Sequence, residues 1–107
     1  MLFSYNLTMS EKNYIHCQDS MGEFIGRIKE IDTKLNMLVL FLYGKRDKED
    51  EKWIGYNVLI KDQRWKEMYN NHLEDSLIII PLNNKVKLTY YTEEEFMQEY
   101  FDVVLQG

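Results

Sequence analysis

Residues 22–40 read GEFIGRIKEIDTKLNMLVL, and the period of their apolar positions decides the fold class. Phe24, Gly26 and Ile28 recur every second residue, the spacing of a β-strand with one face buried. The next apolar residue, Ile31, comes three places later. A straight strand cannot absorb that change of phase, so a bend or bulge is predicted near Lys29–Glu30. Gly26 eases the curvature. Asp32-Thr-Lys-Leu-Asn36 has the composition of a turn, because Asp and Asn side chains satisfy backbone groups locally. The strand that follows, NMLVLFLY at 36–43, is apolar on both faces. It must be buried twice or meet another chain.

Working outward, NYIHCQ (13–18) reads as a strand that turns at DSMG into the central segment. GKRDKEDEK (44–52) reads as a charged loop, and KWIGYNVLI (52–60) as a further strand. DQRWKEMYNNH (62–72) shifts to helical spacing, with Trp65, Met68, Tyr69 and His72 on one face and Asp62 as N-cap. LIIIPL (77–82) and KVKLTYY (85–91) are expected to form a hairpin around Asn83–Asn84. Pro81 has no N–H for a ladder, so it belongs at an edge or strand end. Thr92 and Glu95 form a capping box that opens a C-terminal helix. There Phe96, Tyr100 and Val103 or Val104 make one apolar stripe, with Met97, Phe101 and Val104 making a second beside it. A stripe that wide is expected to pack on the chain's own sheet. The pattern as a whole predicts a mainly β (α+β) single domain over residues 1–107. Its body, 13–91, is a small, strongly bent antiparallel barrel with one inserted helix, and an acidic helix at 92–106 closes it.

Composition bounds the function. The 107 residues are 45% hydrophobic and 14% aromatic, as a folded domain requires. Glu93, Glu94, Glu95, Glu99 and Asp102 carry the whole net charge of −5, and the remaining 13 acidic residues balance 13 basic ones. A neutral body lacks the basic excess that phosphate binding exploits. The acidic end suits a partner-facing helix or a solvated one. The lone Cys17 excludes an intrachain disulfide and suits a reducing compartment. With no apolar run long enough to span a bilayer and no leader-like pattern in MLFSYNLTMSEKNY, an intracellular location, cytoplasmic or nuclear, is expected, away from membranes.

GRIKEIDTKLNMLV, within 26–39, resembles the first motif of the Sm and Sm-like RNA-associated proteins. Gly26, Ile28, Asp32, Leu35 and Asn36 stand at the matching spacing. The resemblance implies that the Asp–hydrophobe–Asn turn joins the second and third strands and helps hold a base at the inner rim of a ring. The second motif of that family is a hydrophobic run, then Arg-Gly, then a short strand. LIIIPLNNKVKL has the run and the strand, with Pro81–Leu82 in the Arg-Gly place. The arginine that contacts the base in the family is therefore missing. The order of three strands, a helix and two strands is also similar to small OB-fold subunits, so the barrel is expected to be Sm-like or OB-type.

Candidate residues follow, each with two readings. Asp32 and Asn36 could contact a base or only build the turn. Tyr90 and Tyr91 could stack on single strands, and as strand neighbours they face opposite ways, which exposes one. Met37, Leu38, Leu40 and Leu42 could form a subunit contact or a core wall. Glu93, Glu94, Glu95 and Glu99 could meet a partner or only solvent. His16, His72 and Cys17 are the only soft metal-ligand candidates and lack paired spacing, so neither a metal nor a cofactor is expected. The five glycines form no phosphate loop, and no nucleophile–base pattern is present, so catalysis is not expected. The reading that results is a non-catalytic subunit or adaptor of a nucleoprotein assembly. It works mainly through protein–protein contacts in a homo- or hetero-oligomer and grips nucleic acid weakly alone. The alternative is a stand-alone acidic inhibitor or immunity-type protein that blocks a partner enzyme.

Overall fold

The computed structural model describes residues 11–20, 22–47, 52–59, 61 and 77–105. Within them the strands are β1 (Tyr14–Asp19), β2 (Gly22–Asp32), β3 (Met37–Asp47), β4 (Ile54–Gly55), β5 (Leu77–Pro81) and β6 (Lys87–Tyr91). A single helical turn, α1 (Tyr56–Leu59), follows β4, and α2 (Glu93–Leu105) follows β6. The protein is mainly β, as the alternation predicted. The expected helix at 62–72 lies outside the described residues.

All pairings are antiparallel. β2 lies between β1 and β3, β6 runs along the outer edge of β1, and the outer edge of β3 is shared by β5 and β4. This corrects two expectations. Residues 77–91 do not form a hairpin, because β5 takes the Met37–Phe41 edge of β3 while β6 takes the Tyr14–Gln18 edge of β1. Residues 52–60 do not form one long strand. Continuing β4 past Gly55 would bring it into the edge that β5 occupies, so only Ile54 and Gly55 pair, with Lys45 and Gly44. The expected loop at 44–52 is also shortened, since β3 continues through Asp47.

The short connection between β5 and β6 dictates the shape. Pro81 is level with Met37 and, through it, with Asp32; Lys87 is level with Gln18 and, through it, with Glu23. On a flat sheet those ends would stand four strand spacings apart and nine residues offset, roughly 35 Å. Residues 82–86 include a turn closed by Val86 N donating to Asn83 O at 3.2 Å. Such a linker reaches roughly 20 Å at most. The sheet must therefore be strongly bent. It is not closed into a barrel, because β5 and β6 share no ladder among the described residues. Part of the bend comes from two irregularities in the β2–β3 ladder. One falls between Ile28 and Glu30, where the phase change predicted it, and the other between Ile25 and Gly26, opposite Tyr43.

Bending creates two apolar clusters. The concave side buries Ile15, Cys17, Phe24, Leu38, Leu40, Leu42, Ile78 and Ile80, with Leu59 from α1. The convex side carries Tyr14 and Ile25, and α2 lays Phe96, Tyr100 and Val103 on them, flanked by Tyr43, Trp53 and Tyr91. α2 thus packs on its own sheet, as its stripe predicted. Its start is the capping box: Glu95 N donates to Thr92 Oγ1 at 3.2 Å and Thr92 N to Glu95 Oε1 at 2.9 Å. Ile31 departs from expectation. Its register partner is the buried Leu38, but Ile31 itself is 40% exposed, because β2 runs on past the last residue of β1 that pairs with it.

Gly26 is required by close approach. A Cβ there would stand 2.1 Å from Phe41 O and 2.7 Å from Leu40 Cδ1. Gly26→Ala should destabilise by about 1–3 kcal/mol, the usual cost of overpacking, read from chemical denaturation. Phe96 is fully buried at the centre of the convex cluster. Phe96→Ala should cost about 3–5 kcal/mol on the same measurement, whereas a helix that merely lay in solvent would lose almost nothing.

Candidate functional site

Three places bring chemistry together. The first is the β2–β3 turn. Asp32 Oδ1 accepts from Lys34 N and Leu35 N, both at 3.0 Å, so one carboxylate oxygen closes the turn. Asn36 takes a positive φ of 53°, which Asn tolerates better than most residues. Its side chain has no hydrogen-bond partner among the described residues. Its carbonyl accepts from Leu82 N at 2.8 Å, and Met37 pairs with Pro81. The turn and Pro81–Leu82 are thus neighbours in space. Leu35, at the tip, is 65% exposed.

The structure does not gather every candidate here. Tyr90 is level with Ile15 and Gly26, roughly 20 Å along the strands from Asp32. It is the exposed member of the tyrosine pair, at 40%. Tyr91 turns the other way into the convex cluster, its hydroxyl 3.4 Å from that of Tyr100. Leu38, Leu40 and Leu42 are fully buried in the concave core, which removes them from any subunit surface; Met37 is half-buried. Cys17 is buried too, and burial pushes its thiol up to about 12, far from a reactive thiolate. Among the described residues no three His, Cys, Asp or Glu side chains converge on a metal position. Nor is any described helix long and apolar enough to cross a membrane.

The second place is a half-buried polar cluster on the convex face that sequence reasoning missed. Glu23 is its centre. Arg46 donates Nε to Oε2 and Nη2 to Oε1, each at 2.8 Å, the two-pronged geometry that makes such pairs strong. His16 Nε2 lies 2.7 Å from Oε1. Since a carboxylate only accepts, His16 is the donor. The guanidinium of Arg46 stacks over Trp53 at 4.8 Å, and His16 meets Trp53 and Tyr100 edge-on. The three polar residues come from β1, β2 and β3: Arg46 is level with Glu23, and His16, level with Ile25, reaches Glu23 diagonally. Alternation placed Glu23 on the strand face opposite Phe24, but Arg46 fell within the run 44–52 read as a loop. The strand extension that pairs them was hidden by the charge density of 44–52.

No protein-family model, curated protein or solved structure matches this chain.

The third place is the outer surface of α2. Glu93 accepts from Tyr14 Oη at 3.1 Å and Glu95 is engaged by Thr92. Glu94, Glu99 and Asp102 have no hydrogen-bond or ion-pair partner among the described residues. Glu99 and Asp102 join Lys52, Trp53, Tyr100 and Val103 around a pocket of about 430 Å³. A separate apolar crevice of about 290 Å³ opens where the sheet fails to close, over Phe24, Ile78, Ile80 and Val86.

The geometry of Glu23 has a pH consequence. The hydrogen bonds from Arg46, helped by His16, hold its carboxyl below the usual carboxylate range against the opposing effect of burial. A folded-state pKa that is depressed stabilises the fold above the unfolded value, about 4.3. That stability is lost as pH falls through the folded pKa. Glu23→Gln should therefore be destabilised at pH 7 by about 1–3 kcal/mol. Its loss of stability between pH 5 and pH 2, followed by urea melts, should be shallower than that of the parent protein.

Proposed function

We propose that this chain is a non-catalytic subunit or adaptor of a nucleoprotein assembly, working mainly through protein–protein contacts along its sheet edges. One observation carries the reading: the two sequence segments that resemble the Sm-type motifs meet in space. Leu82 N bonds Asn36 O, and Pro81 pairs with Met37, so the Asp32–Asn36 turn and the place of the family's Arg-Gly share one end of the sheet. The strand order supports the Sm-like form over the OB-type one. A Greek-key barrel returns its fourth strand to the first, whereas here β5 lies beside β3 and it is β6 that lies beside β1. β6 is bonded to a strand on one edge only, among the described residues. Such an edge is a template for pairing with another chain.

The same site argues that nucleic acid is held weakly by this subunit alone. One oxygen of Asp32 serves the turn, and Pro81 offers neither charge nor donor where the family has arginine. Sedimentation analysis should find an oligomer, or a stable complex with a partner subunit. Anisotropy with U-rich RNA at low salt should show weak binding that falls further on Asn36→Ala. Pro81→Arg with Leu82→Gly should strengthen it by about tenfold, the scale of one charge-assisted contact. A protein that stays monomeric, with flat RNA curves for both parent and double variant, would overturn this reading.

The inhibitor reading is favoured by a different observation, the carboxylates of Glu94, Glu99 and Asp102 on α2, which have no ion-pair partner among the described residues. It predicts a monomer that associates with a basic enzyme surface at a rate that falls steeply with salt.

A further inference from the structure

β6 pairs with β1 along one edge, and no strand pairs with its other edge among the described residues. The concave core thins out there. Ile15 and Cys17 in β1 are fully buried, but Leu88, level with Cys17, is only half-buried, and Tyr90, level with Ile15, is 40% exposed. Val86, just before the strand, is half-buried on the same side. α2 leaves β6 over β1 toward β3 and β4, away from this edge. Outward backbone groups and a partly covered apolar row lie side by side, and one further strand would satisfy both.

Charge along the segment names the strand that fits. KVKLTYYTEE (85–94) carries Lys85 and Lys87 at one end and Glu93 and Glu94 at the other, all four exposed. Antiparallel pairing of the segment with itself sets base against acid at both ends, whereas a parallel pair would set like against like. Geometry then restricts the register. A twofold axis perpendicular to the sheet keeps each face on its own side, and opposite residues of an antiparallel ladder share a face. The axis must therefore pass through a residue position rather than between two. Thr89 is the one centre that pairs all five residues of β6. It sets Thr89 opposite itself, Leu88 opposite Tyr90, Lys87 opposite Tyr91 and Lys85 level with Glu93.

We infer that two copies of the chain pair through β6, antiparallel about a twofold axis at Thr89, which joins their sheets and covers Tyr90 of each copy with Leu88 of the other. The inference rests on the nucleoprotein reading's use of sheet edges and names a second copy as what this edge takes. A ladder of five residues is smaller than a standard interface, so the dimer should dissociate with a Kd on the order of 10 µM.

Sedimentation of the full-length protein across the micromolar to submillimolar range should show a monomer–dimer equilibrium. Tyr90→Lys, which sets a charge on the edge, should weaken the dimer about tenfold or more. Lys85→Glu with Lys87→Glu, which sets acid against acid, should weaken it about tenfold. Circular dichroism checks that each variant keeps its fold. Register is read by oxidation. Thr89→Cys places two thiols across the axis at a Cα separation of about 4.5–5.5 Å, within disulfide reach, and should give a covalent dimer. Lys87→Cys, whose two copies would stand about 14 Å apart, should not. The parent protein, whose Cys17 is buried, is the control. The inference is overturned if the protein stays monomeric throughout, if Tyr90→Lys leaves the dimer unchanged, or if Lys87→Cys cross-links as readily as Thr89→Cys. An oligomer built through other contacts, or a monomer that still binds U-rich RNA, sinks this inference and leaves the nucleoprotein reading standing. That reading falls only when the monomer's RNA curves are flat as well.

Discussion

Everything in this structure depends on β3. Ten of its eleven residues, all but Tyr43, pair with β2 along one edge, and the other edge meets β5 and then β4. Its alternate side chains feed opposite clusters, with Leu38, Leu40 and Leu42 in the concave core and Tyr43 under α2. A strand apolar on both faces can exist in water only if both faces are covered. Bending the sheet around one face and laying a helix on the other meets that demand within a single chain. The irregularity opposite Tyr43 lets the strand serve both.

The far end of β3 shows how charged residues can hold a strand together. Gly44 lets the backbone pass close beneath α2, where a Cβ would stand 2.6 Å from Val103 Cγ1. Lys45, buried on the concave side, pairs with Asp47, and Arg46 reaches across to Glu23 on the convex side. Each ion pair is partly shielded from water, so it is screened less than a surface pair. Each also keeps its partner from being left unpaired in a half-buried setting, which is the costlier outcome. The Glu23 cluster therefore reads as a fastening between β1, β2, β3 and the aromatic floor of α2. No nucleophile or metal position is assembled around it among the described residues.

Charge is distributed unevenly along the chain. The five acidic residues of α2 carry the whole net charge of −5, while the other acidic and basic residues balance. On one flank of α2, Glu99 and Asp102 stand at the pocket beside Trp53; Phe101 and Leu105 are exposed farther round the helix. The outer edge of β6 is unpaired with any strand among the described residues, and such an edge offers backbone groups that accept many sequences.

The sequence by itself determined whatever depends on near neighbours. Period-two alternation located the strands, the phase change after Ile28 located an irregularity, Asp32 and Asn36 marked a turn, and Thr92 with Glu95 marked the start of α2. In each case the deciding contacts lie within a few residues, so they are written in the order of the residues. Only the tertiary structure decided which strands pair. Backbone hydrogen bonds are the same for every partner, so nothing in LIIIPL or KVKLTYY tells a hairpin from two strands on opposite edges. Residues 45–47 read as part of a charged loop because their partners across the ladder, above all Glu23, lie more than twenty residues away. The leucines of 36–43 offered both a core and an interface until bending of the sheet chose the core. The pocket at Trp53 and Tyr100 joins residues almost fifty apart, and only the docking of α2 on the convex face brings them together.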